Sequence, residues 1–252
     1  MKINKKYIYY EWRNVIGNWY IPFFGLLFPV LLYQLIARSV LKDVPQEFLP
    51  QSYTEIFISF LQLVPLAVVF LGHGSTYSQD LENKIPQRME LFGFSQKEQI
   101  IGKFIALFFF FIIALGVQFI NAFLSFDILK PKLLGLTTLL GVLLILSIIL
   151  FVLAHGIANF FRKFGPTYGV VMTLYFGFMM LGGMMGVNMD QLPEKIQVIS
   201  RLIPFSYISN DFVKVWSGEP YNMAPFIQSC ILLLGISILV LLLSEKYGKK
   251  DV

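Results

Sequence analysis

The side chains that could do chemistry are few in this chain of 252 residues. It has two histidines, His73 and His155, and one cysteine, Cys230. Two histidines without a nearby set of carboxylates or thiols make a poor metal site. We therefore expect no metal and assign both histidines to packing or to the membrane interface. No arrangement of Ser, His and Asp suggests a catalytic triad, and Cys230 lies in an apolar run that favours a structural role.

The sequence also lacks the G-x-x-x-x-G-K-[ST] loop that holds nucleotide phosphates. We therefore expect no catalytic activity in this chain and no directly bound cofactor. If ATP drives its function, another polypeptide must bind the nucleotide. The formal net charge is +5, but the basic residues are dispersed among loops, so we expect no nucleic-acid partner.

The composition is that of a membrane protein. Hydrophobic residues make up 56% of the chain, charged residues 14%, and the mean hydropathy is +0.69, whereas soluble domains average about 25% charged residues. A helical span needs roughly 20 mostly apolar residues, and helices satisfy their own backbone groups in lipid. The fold class predicted is an all-α integral membrane protein with six spans: Trp19–Ala37, Thr54–Tyr77, Phe104–Leu124, Leu133–His155, Thr167–Val187 and Met223–Ser244.

The segment before the first span has the pattern of an amphipathic helix in the membrane interface. The lysines lie mostly on other faces than the apolar residues, which recur on one face at helical spacing: Ile8, Trp12, Val15, Ile16 and Trp19. A signal peptide does not fit, because the charged region is too long and the apolar run continues into a full span. We predict an interfacial helix over 1–18, a transmembrane domain over 19–244 and a cytoplasmic tail over 245–252.

The basic residues predict the orientation. With six spans, both termini lie on one side, which carries 13 basic residues against 7 on the other. The positive-inside rule places the richer side in the cytoplasm, so we expect a multi-pass protein of the cell membrane with both termini inside. The central turns of the spans lack Asp, Glu, Lys and Arg, which argues against a proton-coupled antiporter and against an intramembrane metalloprotease.

The second cytoplasmic loop predicts a helix–turn–helix elbow. Pro86 can start a short helix, Gly93 can end it, and Ser95 with Glu98 forms a capping box for the next helix. The elbow would expose Met89, Leu91, Phe92 and Phe94 beside charged residues. Such a patch favours either a protein-docking surface or contact with lipid head groups.

This loop resembles the cytoplasmic loop of ABC type-2 transporter permeases. The matching residues, in order, are Glu82, Arg88, Leu91, Ser95, Glu98, Gly102 and Lys103, with Gly93-Phe94 where the family often has Pro. A second match lies before the last span, at Leu192-Pro193, Arg201 and Pro204 to Tyr207, although Ile203 stands where the family usually has Asn. Over 193–216 we expect short helices on the extracellular side of an ABC type-2 exporter fold.

The resemblance implies that residues 85–95 form a coupling helix held in a groove of a cytoplasmic ABC ATPase, which binds ATP and Mg. Its expected contact residues are Pro86, Arg88, Met89, Glu90, Phe92 and Gln96. A second ATPase contact is expected on the interfacial helix, at Tyr9, Tyr10 and Arg13. The resemblance also implies a second permease subunit, in a homodimer or a heterodimer.

The resemblance implies that spans one and five lie near the dimer seam, so we expect residues of these two spans at the seam or along the substrate path. They are Phe23, Phe24, Phe28, Met179, Met180, Gly182 and Gly186, the two glycines forming a G-x-x-x-G pair. Packing within the chain is the alternative for these residues. An apolar lining suggests an amphipathic or hydrophobic cargo (peptide, lipid or drug), and the small size resembles bacterial peptide exporters, such as those of phenol-soluble modulins. The rival functions are a non-transporting structural or regulatory subunit and an integral membrane lipid enzyme.

Overall fold

The computed structural model describes residues 5–184 and 193–248 of the chain. Within those residues the fold is helical and contains no strand. The helices, in chain order, are α1 (Lys5–Gly17), α2 (Tyr20–Ser39), α3 (Gln46–Glu82), α4 (Ile85–Leu91), α5 (Gln96–Ser125), α6 (Leu133–Phe161), α7 (Phe164–Leu181), α8 (Glu194–Ser200), α9 (Pro204–Ser217) and α10 (Ala224–Tyr247).

Six of these helices, α2, α3, α5, α6, α7 and α10, are long and apolar enough to cross a membrane. They overlap the six predicted spans in order, which confirms the predicted fold class. The helices extend beyond the apolar runs, because hydrogen bonding continues through polar turns outside the hydrocarbon. Helix α7 instead ends at Leu181, six residues before the predicted end. Gly182 and Gly183 follow it, and Gly183 has a positive φ of 76°, a conformation typical of helix C-termini.

Helix α3 is the central helix of the bundle. Inside the structure, 89% of its most apolar stretch is buried, against 28% for α2, α7 and α10. Its middle, Pro65–Leu71, is π-helical and fully buried, as expected where a proline removes a hydrogen-bond donor from the helix. Helix α3 therefore forms a rod that joins the elbow to the opposite side of the bundle.

The side opposite the elbow is closed by α8 and α9. Helix α9 buries Phe205, Ile208, Phe212 and Trp216 among the spans. The indole Nε1 of Trp216 donates a hydrogen bond to the carbonyl oxygen of Leu129 at 2.7 Å. The amide of Gln62 on α3 donates one to the hydroxyl of Ser209 at 2.8 Å. Helix α9 is thus embedded in the bundle and directly bonded to α3.

Helix α1 packs against α5 along a line formed by Tyr7, Glu11 and Val15, all of which are buried. Trp12 adds an edge-to-face contact with Phe109, with ring centroids 5.0 Å apart. The sequence pattern predicted an apolar stripe that includes Ile16, but Ile16 is exposed. The face of α1 that packs on the bundle contains the acidic residue Glu11, whose carboxylate pairs with Lys103 on α5.

Candidate docking site

The elbow, which we define as Glu82–Lys103, has the local geometry that its sequence predicts. Helix α4 has Pro86 in its first turn, and Gly93 reverses the chain with a φ of 88°. The capping box is present: the hydroxyl of Ser95 accepts from the amide of Glu98, and the carboxylate of Glu98 accepts from the amide of Ser95 at 3.0 Å. The capping box satisfies backbone donors that would otherwise be unpaired.

One buried side chain holds the two arms of the elbow together. The amide Nε2 of Gln99, on α5, donates to the carbonyl oxygen of Pro86 at 3.1 Å and to that of Phe94 at 2.9 Å. Gln99 is buried, so these bonds are shielded from competition with water. Helix α4 is therefore fixed relative to α5.

The tip of the elbow presents apolar side chains outward. Leu91 is 89% exposed and Phe92 is 78% exposed. Phe92 is one of the predicted ATPase contacts, whereas Leu91 is not. Of the remaining predicted contacts, Arg88, Glu90 and Gln96 are exposed, and Pro86 and Met89 are half-buried. An exposed apolar pair beside charged residues on a fixed helix has the composition of a protein-docking surface.

Two further contacts join the elbow to the bundle. On one side, the carboxylate of Glu82 accepts a hydrogen bond from the backbone amide of Phe164 at 2.8 Å. Phe164 is the first residue of α7, and a carboxylate is favourable at a helix N-terminus. A displacement of the elbow would therefore act on α7 directly.

On the other side, a buried charge cluster lies at the base of the elbow. The ammonium group of Lys103 is 3.0 Å from a carboxylate oxygen of Glu11 on α1 and 2.5 Å from one of Asp80 on α3. The hydroxyl of Tyr7 donates to Glu11. Burial, and then the charge of Glu11, raises the pKa of Tyr7. The cluster ties α1, α3 and α5 together at one point.

Gly102 allows α1 to approach this closely. A Cβ atom at Gly102 would lie 2.6 Å from two ring atoms of Tyr7, closer than any side chain tolerates. Tyr7 therefore rests on the bare backbone of α5, and its ring is held beside Glu11.

The sequence did not predict this cluster: Lys103 was noted only for its match to the permease loop, and neither Glu11 nor Asp80 belongs to a recognised motif. Two signals were available. Tyr7 and Glu11 are four residues apart, on one face of the predicted helix, and Gly102-Lys103 places a cation beside a position of close approach. Neither signal identifies the partner, because Glu11 and Lys103 are 92 residues apart.

The residues predicted for a second ATPase contact lie on α1. Tyr9, Tyr10 and Arg13 are all exposed. Tyr10 and Arg13 line a polar cavity of about 360 Å³ between α1 and the adjoining ends of α3 and α5. Tyr9 lies instead on the flank of α1 beside Phe109. On the helix, Arg13 lies four residues from Tyr9 and three from Tyr10, so the three exposed side chains adjoin along the outer surface of α1.

The two histidines meet in the bundle, although nothing in the sequence pairs them. His73 on α3 and His155 on α6 are joined by a hydrogen bond of 3.2 Å between ring nitrogens, and their rings are nearly parallel. His73 also stacks on Phe151. Across residues 5–184 and 193–248, no group of three or more potential metal-ligating side chains occurs.

The residues predicted at a dimer seam or substrate path are divided between the surface and the core. Phe23 and Met180 are exposed, Phe24 and Phe28 are half-buried, and Met179 is buried. Gly182 lies at the end of α7. A Cβ atom there would be 2.8 Å from the Cβ of Phe205 on α9, so this glycine packs within the chain. Gly186 lies outside the described residues.

Comparison with known families agrees with this architecture. Residues 32–244 match the family described as ABC-2 family transporter protein. No curated protein and no solved structure gives a significant match. The chain belongs to the ABC-2 family of transporter proteins. It is a multi-pass membrane component of a transporter, and the elbow and its supports lie within the matched residues, apart from α1.

Proposed function

We propose that this chain is the permease subunit of an ATP-binding cassette exporter and that a separate cytoplasmic ATPase docks on the elbow. The ATPase binds ATP and Mg, and its movement drives an amphipathic or hydrophobic substrate outward. An amphipathic peptide is the first substrate class to test, with lipids and drugs next. The observation that carries the proposal is the exposed pair Leu91 and Phe92 on a helix fixed from both sides.

The fixed geometry supports a mechanical role for the elbow. A docking surface transmits force only if it cannot rotate freely, and Gln99 holds α4 against α5. Force on the elbow would reach three elements at once: α3 through the chain, α7 through Glu82, and α1 through Lys103. Helix α3 continues to Ser209 on α9, which provides a route across the membrane. An ATP-driven transporter requires a docked partner to bias the conformation of the spans, and these contacts supply a route by which it could do so.

The test is co-purification of the detergent-solubilised chain with its co-expressed ATPase. We expect the double substitution Leu91→Asp and Phe92→Asp to weaken the complex strongly, because interface hot spots cost about 2 kcal/mol or more, roughly thirtyfold in affinity. The chain itself should remain inserted and monodisperse, since both side chains are exposed.

Helix α8 offers a matched control. Like α4, it has seven residues and exposes an adjacent apolar pair, Val198 at 62% and Ile199 at 51%. Val198→Asp with Ile199→Asp should leave co-purification unchanged. The docking assignment would be refuted if both double variants lost the ATPase equally, or if the variant at Leu91 and Phe92 retained it. An ATPase that binds without promoting transport would favour a regulatory subunit.

We further propose that a second permease subunit, identical or different, covers α2 and α7. These helices are little buried within the chain, and they expose Phe23 and Met180. Exposed apolar residues also suit lipid, so the proposal predicts a specific contact. A cysteine at Met180 should form a disulfide between copies, or with a co-expressed partner permease, at a rate well above that of one at Ile238 on α10.

The proposed location is the cell membrane, with both termini in the cytoplasm. In a Cys230→Ala background, a cysteine at Asn222 should react with an impermeant maleimide added to intact cells. A cysteine at Tyr247 should react only after the membrane is opened. Both positions are exposed on the protein, so a difference in labelling reports the side of the membrane on which each residue lies. The reverse labelling pattern would contradict the orientation.

A further inference from the structure

The cavity between α1 and the ends of α3 and α5 has a lining suited to a small polar ligand, distinct from both the transported substrate and the ATPase. Its volume is about 360 Å³, and its walls are mostly polar. Asp80 lies two residues from the end of α3, and Lys103 lies seven residues into α5, about 10 Å along the helix. Lys103 directly precedes the apolar run that begins at Phe104, so we expect the cavity at the level of the phospholipid head groups, just outside the hydrocarbon core.

Among the cavity-lining residues that the structure describes, one cation is available to a ligand. Lys103 is already paired with Glu11 and Asp80. Arg13 is exposed and has no ion-pair or hydrogen-bond partner among the residues that the structure describes. A guanidinium group presents a fork of donors that matches a phosphate group. Arg13 is therefore the group that a phosphate would contact.

Uncharged polar groups extend the site beyond Arg13. The side-chain amide of Gln79 lines the cavity and is unpaired within the described part of the chain. Asn18 uses its oxygen to accept from the amide of Tyr20 at 3.2 Å, which leaves its amide hydrogens for the cavity. Asp80 binds Lys103 through one carboxylate oxygen and is partly exposed. Its second oxygen can accept a hydrogen bond from a ligand.

We propose that this cavity binds the head group of a cytoplasmic-leaflet phospholipid, with the phosphate on Arg13 and a head-group donor on Asp80. A head group with O–H or N–H donors, such as glycerol or ethanolamine, satisfies both ends of the site. Choline has no such donor, and its trimethylammonium group cannot hydrogen-bond to the carboxylate. The bound lipid would hold α1 against α3 and α5, beside the base of the elbow.

The test is native mass spectrometry of the full-length chain in detergent, titrated with phosphatidylglycerol, phosphatidylethanolamine and phosphatidylcholine of identical acyl chains. We expect the first two lipids to bind at least fivefold more tightly than phosphatidylcholine. Arg13→Gln should weaken phosphatidylglycerol binding about fivefold, the effect of one basic contact with a lipid head group. Gln79→Glu should weaken it further, because a carboxylate would repel the phosphate.

Arg201→Gln is the matched control, because Arg201 is exposed on the turn after α8, away from the cavity. It should change lipid affinity less than twofold. Equal binding of all three lipids, or a phosphatidylglycerol preference that survives both cavity variants, would overturn the proposal.

Two further measurements distinguish a phospholipid from other ligands of the cavity. Glycerol 1-phosphate should bind far more weakly than phosphatidylglycerol, and equal binding would assign the site to a soluble phosphate compound instead. If Arg13→Gln abolished ATPase co-purification and left lipid binding intact, Arg13 would belong to the protein interface. Because lipid binding needs no ATPase, failure of the docking proposal would leave this prediction unchanged.

Discussion

Lys103 is the single residue on which three helices converge at the base of the elbow. It meets two carboxylates, Glu11 and Asp80, and all three groups are largely shielded from water. A buried pair adds little stability relative to an apolar replacement, but removing one partner leaves an uncompensated charge. The cluster should therefore be sensitive to single substitutions.

We predict that Lys103→Gln lowers the free energy of unfolding by about 3 kcal/mol, the cost of a broken buried ion pair. It should also increase hydrogen exchange in α1, which loses its charged anchor. Thermal unfolding in detergent and exchange mass spectrometry measure the two effects. Lys97→Gln, at an exposed position of the same helix, should have almost no effect, and equal behaviour of the two variants would contradict a structural role for the cluster.

At the scale of elements, the elbow depends on both local and distant contacts. The capping box of Ser95 and Glu98 is a local signal, and sequence predicted it because the two residues are three positions apart. The bonds from Gln99 to Pro86 and Phe94 were not predictable, because a glutamine near a helix start has no characteristic pattern. The pairing of His73 with His155 was not predictable either, because the two residues lie on different helices and are 82 positions apart.

We predict that Gln99→Met loosens the elbow without unfolding the bundle. The carbonyl oxygens of Pro86 and Phe94 would lose their donor, so backbone amides over 85–94 should exchange faster. The protein's melting temperature should change little, because α4, the part of the elbow that Gln99 holds, has no buried side chain. Gln96→Met is the control, because it makes the same change at an exposed glutamine three residues earlier in the same helix. Faster exchange in both variants, or in neither, would show that Gln99 does not hold the elbow.

For the whole molecule, hydropathy predicted the number and order of the membrane spans, which do not depend on how the helices pack. Long apolar runs fix the number and order of the spans, because each run must satisfy its backbone in lipid. Sequence could not show that α3 is central and α2, α7 and α10 peripheral, since all these helices contain apolar runs long enough to span a membrane. The position of α9 inside the bundle, with Trp216 bonded to Leu129, likewise depends on contacts between distant segments.

The measurement that tests the central claim most directly is photo-crosslinking in native membranes. A photoreactive amino acid at Phe92 should form an adduct with a protein whose peptides include a G-x-x-x-x-G-K-[ST] loop, as an ABC ATPase requires. The same residue at Val198, equally apolar and exposed, should form none. Adducts of Phe92 with lipid alone would contradict the account and identify the elbow as a membrane-surface segment.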